Sequence, residues 1–486
     1  MQLYNIGLYE AFKAKDARFD GRFFVGISST GIYCRPVCKA KQPKVENCTF
    51  FHTAAEAEQA GYRPCLLCRP EIAPGNSITD ATDDLVFRAA RILEENCGTG
   101  QGMNEIAEAL GCTDRHLRRV FTAEYNVTPI QYLQTCRLLL AKNLLTDTDL
   151  SVLEIALASG FDSLRRFNEI FKKHYRLSPI GLRKKQIKEK HPDSNITLRL
   201  SYRPPYCWEQ ILNFLGGRAI SGVEVVKNGE YMRTVFLETA EKKSVNGWLR
   251  VAHESKRNAL AVTISDTLLP VLPQVLARVR HLFDLNCDPH TVYEKLKMMN
   301  EIQPDMCVLG TRLPGCFNAF EMAVRAVLGQ QITVKAASTL AARIVDTYGT
   351  AIQTGIDGLT HIFPTPESIL AMGFNIENNL GMLGVTGARS RTIFELARAV
   401  VQKEVELRFC SNPENEIKKL MEIRGIGNWT AQYLAMRTMA WADSFLETDA
   451  GIKKALPNYS SKELLNIAEA WRPWRSYATV NLWNSL

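Results

Sequence analysis

The stretch Met421-Glu-Ile-Arg-Gly-Ile-Gly-Asn-Trp-Thr-Ala-Gln-Tyr-Leu-Ala-Met-Arg437, followed by the lone acid Asp449, decides the reading of the C-terminal half. Gly425 and Gly427 bracket Ile426, and residues 430–438 carry a helical pattern. Two glycines one residue apart permit a tight turn whose backbone N–H groups point outward, and the helix N-terminus that follows adds partial positive charge. That is an anion cradle suited to one phosphate of a nucleic-acid strand. Beyond it, Thr448-Asp449-Ala450-Gly451-Ile452-Lys453-Lys454 places Asp449 at the N-cap of a new helix. Taken alone, a plain glycine turn between helices and an ordinary capping aspartate fit these residues equally well.

Working outward, the 486-residue chain is too long for one core and implies three or four domains. Its 46% hydrophobic and 23% charged content describe a soluble globular protein. The net charge of +8 is modest, but ten Lys/Arg fall between Arg165 and Lys190 against only Glu169 and Glu189, which suggests a polyanion partner rather than a merely solvated face. The N-terminus lacks a basic segment followed by an apolar one, and no apolar run reaches the roughly 18 residues of a membrane span. No membrane association and a cytoplasmic location are expected. Thirteen cysteines without an export signal argue for a reducing compartment and for metal or thiol chemistry. Cys97, Cys136, Cys207, Cys287, Cys307, Cys316 and Cys410 stand singly among apolar residues and read as core fillers.

Four cysteines read differently. Cys34-Arg-Pro-Val-Cys38 and Cys65-Leu-Leu-Cys68, separated by 26 residues, have the spacing of one tetrahedral zinc site, each pair spanning an edge. Arg35, Lys39, Lys41, Lys44, Arg63 and Arg69 crowd the ligands, and cationic neighbours favour thiolate. From chemistry alone a structural zinc is the better reading. The surrounding words, Thr30-Gly-Ile-Tyr-Cys34-Arg-Pro-Val-Cys38-Lys-Ala40, Glu46-Asn47 and Ala60-Gly-Tyr-Arg-Pro-Cys65-Leu-Leu-Cys68, resemble the N-terminal zinc domain of the Ada family of the alkylation response. The resemblance implies that Cys34 is both ligand and acceptor of a methyl group from DNA methylphosphotriesters, while Cys38, Cys65 and Cys68 remain ligands only.

Past a polar linker at 74–80 and a helix over 85–96, a repeat appears. Glu105-Ile-Ala-Glu-Ala-Leu-Gly111 recurs as Glu154-Ile-Ala-Leu-Ala-Ser-Gly160, and 121–129 recurs as 171–179. Each copy reads helix, turn at Gly, helix, and a long helix over 129–145 joins them. Two such copies resemble the AraC-type DNA-binding domain. The second helix of each should enter the major groove, with Arg115, His116, Arg118 and Arg119 in the first and Ser163, Arg165, Arg166 and Asn168 in the second.

A charged linker at 184–194 precedes a small α/β domain, with strands over 196–202, 234–239, 247–253 and 258–264 and helices over 207–219 and 272–283. From about 307 the chain is nearly all helical, and 319–334 reads as one helical stretch with Gly329-Gln330-Gln331 inside it. The opening stretch, Arg312-Leu-Pro-Gly-Cys316, Trp471-Arg-Pro-Trp-Arg-Ser-Tyr477, Tyr202-Arg-Pro-Pro-Tyr-Cys-Trp208 and His281-Leu-Phe-Asp-Leu-Asn-Cys287 together resemble AlkA-type 3-methyladenine DNA glycosylases of the helix-hairpin-helix superfamily over 196–486. The resemblance puts the hairpin on Arg424 to Trp429, with Arg424, Gly425 and Gly427 against DNA, the catalytic aspartate on Asp449, and an aromatic base pocket on Trp429, Tyr433 and Trp483. Strand-nicking relatives carry a lysine where Trp429 stands, so a monofunctional enzyme that leaves an abasic site is implied. Gln331 takes the place of an apolar wedge, and its polarity puts that role in doubt.

The expected fold class is multidomain and mainly α. A small zinc α/β domain (1–78) leads to an AraC-type double helix-turn-helix (80–185), an AlkA-type N-terminal α/β domain (195–305) and an all-α helix-hairpin-helix glycosylase domain (306–486). The expected function joins a methyl sensor and transcriptional activator to an alkylbase glycosylase. Zn2+ is the cofactor, and double-stranded DNA (promoter and alkylated sites) and RNA polymerase are the partners of a monomeric chain. The Ada family's second methyltransferase domain, with its Pro-Cys-His-Arg nucleophile, has no counterpart here, so repair of O6-methylguanine is not expected. The competing reading is a DNA-binding regulator with a structural zinc and an inactive glycosylase-like half.

Overall fold

The computed structural model describes residues 2–75, 84–99, 102–185, 196–239, 241–408 and 412–486. Most of both linker stretches, and Cys410, lie outside the described residues. In the N-terminal unit, strand Phe24–Ile27 pairs antiparallel with Ile32–Cys34 on one side and Cys48–Phe51 on the other. The short strand Arg63–Pro64 then runs parallel to Ile32–Cys34, with Tyr33 opposite Pro64. That register closes the zinc spacing, because two neighbouring parallel strands deliver Cys34 and Cys65 side by side.

The repeat is reproduced down to its backbone. Helices Asp114–Tyr125 and Leu164–Tyr175 are both capped by a hydroxyl, Thr113 and Ser163, and both stop at a left-handed residue, Asn126 at φ 55° and Arg176 at φ 54°. The joining helix, Pro129–Asp147, opens on a capping box between Thr128 and Gln131 with Pro at its first turn.

The α/β unit is a five-stranded antiparallel sheet in the order Ile196–Ser201, Ala259–Ile264, Ser244–Glu254, Glu230–Glu238, Glu224–Lys227. Glu224–Lys227 is missing from the sequence-based expectation because it is a four-residue edge strand without a clean alternation. One continuous core joins this sheet to the second helix-turn-helix: Leu138, Ile155, Phe167 and Phe171 belong to the same apolar cluster as Leu198, Trp208, Leu249 and Phe283. On the sheet's other flank, the buried pairs Arg233–Glu321 (2.6 Å) and Arg325–Glu224 (2.7 Å) hold helix Ala319–Leu328 in place.

The expected single stretch over 319–334 is broken. Helix Ala319–Leu328 ends, Gln331 adopts φ 57°, and Thr333 caps a new helix, Val334–Tyr348, by accepting from the Ala336 N–H. Gly329, Gln330 and Gln331 therefore form a turn rather than a helix interior. The capping signal of Thr333 was present in the sequence and was outweighed by the apolar run around it.

Candidate active site and metal centre

The four sulfurs of Cys34, Cys38, Cys65 and Cys68 lie within 4.8 Å of one another, and all are buried. Zinc–sulfur bonds of about 2.3 Å give tetrahedral sulfur–sulfur edges of about 3.8 Å, so the cluster is the right size for the ion. The Arg35 N–H donates to the Cys68 sulfur at 3.3 Å, an outer contact that suits a thiolate ligand. Cys48, whose thiol instead donates to the Lys44 carbonyl, stands outside the cluster. Cys97, Cys287, Cys307 and Cys316 are buried, and burial pushes each thiol up to about 12, which suits inert core residues. Two of the cations expected around the ligands are structural. Arg35 pairs with buried Asp20, and Arg69 reaches Glu71 and Asp147. Cys34 itself is only 2% exposed, while Leu67, between the second pair of ligands, is 64% exposed.

In the C-terminal half the hairpin lies between helices Pro413–Glu422 and Asn428–Thr438, the latter starting two residues earlier than its sequence pattern suggests. Gly425 has φ 95°, and a Cβ there would lie 2.0 Å from the Thr392 hydroxyl oxygen, so both backbone and space demand glycine. That hydroxyl donates to the Arg424 carbonyl and pins the turn. Gly427 is extended, and no atom lies within 4 Å of where its Cβ would be, so its bareness leaves the helix N-terminus open. Gln330 braces the hairpin from the side, donating to the Gly425 carbonyl (2.9 Å) and the Thr430 hydroxyl (3.0 Å). Gln331, next to it, is exposed on the rim of a cleft of about 1180 Å³.

Asp449 lines that cleft at the N-cap of helix Ala450–Ala455. Its Oδ1 accepts from Gly451 N (2.9 Å), Ile452 N (3.1 Å) and the Trp483 indole N–H (2.9 Å), and its Oδ2 accepts from the Trp429 indole N–H (3.1 Å). Trp429 stacks on Tyr433 at 5.1 Å with ring planes 8° apart, and Trp483 stands 6.4 Å from Tyr433 at 58°. The expected acid and all three expected aromatics thus meet in one cleft, with the carboxylate clamped between two indoles. The other nearby acids are differently engaged: Asp443 is buried against Arg472 and Arg475, and Glu447 accepts from Asn428.

Two cleft residues, Arg218 and Arg437, and the Phe214 ring packed on Trp483 escape the sequence reading. Phe214 stacks on Trp483 at 5.9 Å. The Arg218 guanidinium lies 3.7 Å over the Phe214 ring and lines the cleft, and Arg437 lies 4.9 Å from the same ring. Burial would raise the Tyr433 hydroxyl, but Arg437, Arg218 and Arg325 outweigh it and hold it below its usual range. Arg437 is fixed by the carbonyls of Pro314 and Gly315, and its own carbonyl accepts from His281 Nε2 at 3.1 Å. Burial pushes His281 down to about 3, so the ring is neutral. The words around 281 and 312–316 therefore serve the pocket indirectly, by holding Arg437. The cleft thus offers aromatic rings along its wall and a fixed carboxylate at one side.

In the repeat, Arg115, His116 and Arg119 are exposed on the first helix, and Arg165, Arg166 and Asn168 on the second. Arg118 is half-buried and pairs with Asp114 at 2.7 Å. Ser163 acts as the cap rather than as a free side chain.

Comparison with known families and proteins follows the same division. The chain matches the metal binding domain of Ada over residues 7–71, a helix-turn-helix domain over 106–185, the AlkA N-terminal domain over 197–318, and the HhH-GPD superfamily base excision DNA repair protein over 324–463. It is 34% identical to a probable bifunctional transcriptional activator/DNA repair enzyme AlkA of Mycobacterium tuberculosis, across 98% of this chain and 96% of that one. It is 35% identical to DNA-3-methyladenine glycosylase 2 of Escherichia coli (58% of this chain, 95% of the relative). Over its N-terminal part it is 28% identical to the bifunctional transcriptional activator/DNA repair enzyme AdaA of Bacillus subtilis (38% of this chain, 86% of the relative).

Proposed function

The chain belongs to the family of bifunctional AlkA-type transcriptional activator/DNA repair enzymes, and from that premise we propose that its C-terminal half is a monofunctional glycosylase that hydrolyses the N-glycosidic bond of alkylated bases. The observation that carries this reading is the Asp449 carboxylate held by the indoles of Trp429 and Trp483 in an aromatic cleft. A base flipped out of the duplex stacks on those rings, and a methylated purine, already cationic, is favoured by their electron-rich faces. As the C1′–N bond breaks, its electron pair leaves with the base and positive charge develops at C1′. Asp449 then stabilises that charge or orients the water whose oxygen bonds to C1′. Trp429 stands where a Schiff-base lysine would act, which supports hydrolysis without strand cleavage. Arg424, Gly425 and Gly427 hold the phosphate, the open N-terminus of Asn428–Thr438 supplying its N–H groups. Gln331, exposed on the rim of the cleft, contacts the DNA beside the flipped base.

The same reading assigns Cys34 the methyl-acceptor role. Cys34, Cys38, Cys65 and Cys68 would hold the zinc, which would keep these thiolates deprotonated and nucleophilic at neutral pH. The Cys34 sulfur bonds to the methyl carbon of a phosphotriester while the C–O bond breaks, and the electron pair leaves on the phosphate oxygen. Because the Cys34 sulfur is buried, the methyl group has to displace part of the cover over it. Methylation removes one negative charge, taking the cluster from about −2 to about −1. Weaker repulsion from phosphates strengthens promoter binding through Arg115, Arg118, Arg119, Arg165 and Arg166. RNA polymerase is then recruited by a monomeric chain in the cytoplasm.

Base release from a methylated duplex, by wild type and Asp449→Asn, tests the first half. Rapid release by wild type with the strand left intact is expected, and equal rates for the two proteins would remove Asp449 from the mechanism. Intact-mass measurement after incubation with methylphosphotriester DNA tests the second. One added methyl is expected, absent in Cys34→Ala.

A further inference from the structure

Arg218 is an unexpected wall for a cleft that takes cationic bases. It follows helix Trp208–Gly216, lines the cleft, and lies 3.7 Å over the Phe214 ring and 5.9 Å from that of Trp483. Its guanidinium donates to the Phe214 carbonyl at 3.3 Å. Among the described residues no carboxylate pairs with it, whereas its neighbour Arg325 is bound to Glu224 and Glu321. Arg437, the other cation at this wall, is only 1% exposed and directed at Pro314, Gly315 and Tyr433. Arg218 is therefore the uncompensated cation that a bound base meets.

We infer that Arg218 sorts substrates by the charge of the leaving base, assisting neutral bases that depart as anions and opposing bases that are already cationic. The inference rests on the glycosylase reading above and deepens it. When the C1′–N bond of a methylated, cationic purine breaks, the electron pair neutralises the base, which needs no help to leave. When the same bond breaks in a neutral purine with a ring carbonyl, the electron pair makes the base an anion. Its charge spreads to the carbonyl oxygen and ring nitrogens, while water gives its oxygen to C1′ and its proton to solvent. A guanidinium N–H donated to that anion stabilises it most in the transition state, where the charge develops. Against a cation the same charge is repulsive, by on the order of 10- to 100-fold in rate for unit charges a few ångströms apart in a partly screened site. The aromatic faces and the guanidinium thus pull in opposite directions, and the pocket is built to accept both classes rather than to maximise one.

The test uses the full chain and two duplexes, one carrying 7-methylguanine (cationic) and one carrying hypoxanthine (neutral). Wild type is expected to release both. Arg218→Met is expected to lower hypoxanthine release by about 30-fold or more and to raise 7-methylguanine release severalfold. Arg218→Gln, which keeps a donor but no charge, should move both rates in the same directions by smaller factors, and it decides the matter should the Met variant fail to fold. A parallel fall of both rates in either variant would assign Arg218 to structure alone and overturn the inference. Release of 7-methylguanine but not hypoxanthine by wild type would overturn it while leaving the glycosylase reading intact. Release of neither base would remove both.

Discussion

Asp449 carries two tasks on one carboxylate. Its Oδ1 caps helix Ala450–Ala455, while both oxygens accept indole N–H groups from the pocket walls. Asparagine caps a helix about as well as aspartate but lacks the charge. Asp449→Asn should therefore lose about 10²- to 10³-fold in base release but only about 1 kcal/mol of stability, its amide keeping the cap while losing the bond from the Trp429 N–H, a split that base-release kinetics and a melting curve read directly. Trp483→Phe keeps a ring against Phe214 and removes one donor to Asp449. Its release should fall about tenfold, less than in the Asn variant, because the charge stays but loses an orienting bond. The residues that make this possible were legible to unequal degrees. The hairpin, Trp429, Tyr433 and Asp449 are legible through the family resemblance that one short stretch carries. Phe214 and Arg218 do not, because a Phe on the apolar face of a helix and an Arg after its end have no local signal that a cleft lies against them.

At the scale of elements, the zinc unit meets the double helix-turn-helix through buried polar groups that the sequence does not mark. Glu58, on helix Ala54–Gln59, is buried, and accepts from the hydroxyls of Tyr33 (3.1 Å), Tyr175 (3.4 Å) and Thr135 (3.4 Å), with His174 at 3.9 Å. Burial pushes this carboxyl up to about 8, the hydroxyl bonds and Lys142 pulling the other way. Its folded value thus lies above the unfolded one, so its stability contribution is full below the ordinary carboxylate range and is lost as pH rises through about 8. Glu58→Gln keeps the accepting oxygen without the titration. Melting curves across that window should show wild type losing stability, on the order of 1–3 kcal/mol, that the Gln variant keeps. In the repeat, the fold-level pattern was fully legible, because capping residues, apolar spacing and turn residues recur at a fixed offset. The standing of each arginine was not. Arg118 is paired with Asp114 while Arg165 and Arg166 are exposed. Arg165→Ala or Arg166→Ala should weaken promoter binding and lower the salt-dependence slope by about 1, measured by titration at several salt concentrations, and Arg118→Ala should do so less.

Across the whole molecule, the zinc cysteines, the helix-turn-helix repeat and the hairpin with Asp449 each carry a contiguous motif, whereas the docking of these units depends on residues that read as ordinary surface. Arg22 of the zinc unit pairs with Asp288, the cap of helix Pro289–Leu296, at 2.8 Å. Fully buried Arg203 bridges the carbonyls of Gly75 (2.9 Å) and Asn286 (2.7 Å), and Gly75 N donates to Asn286 Oδ1. Buried Glu71 binds both Lys142 and Arg69, tying the zinc unit to the joining helix Pro129–Asp147. With the second helix-turn-helix and the α/β sheet sharing one apolar core, chain continuity through 186–195 is not what holds the halves together. Buried pairs left without a partner cost several kcal/mol, and exposing a shared core costs more, so separation in water is strongly opposed. A protease site inserted within 186–195 and then cut should give two fragments that still co-elute on gel filtration and melt in one transition. Separate elution at micromolar concentration would show that the interface is too weak to set the DNA-reading helices and the glycosylase cleft in a fixed relation. Adding Arg22→Ala to the cut chain should lower the melting temperature before it releases the fragments, since its partly exposed pair with Asp288 supplements an association whose centre is apolar.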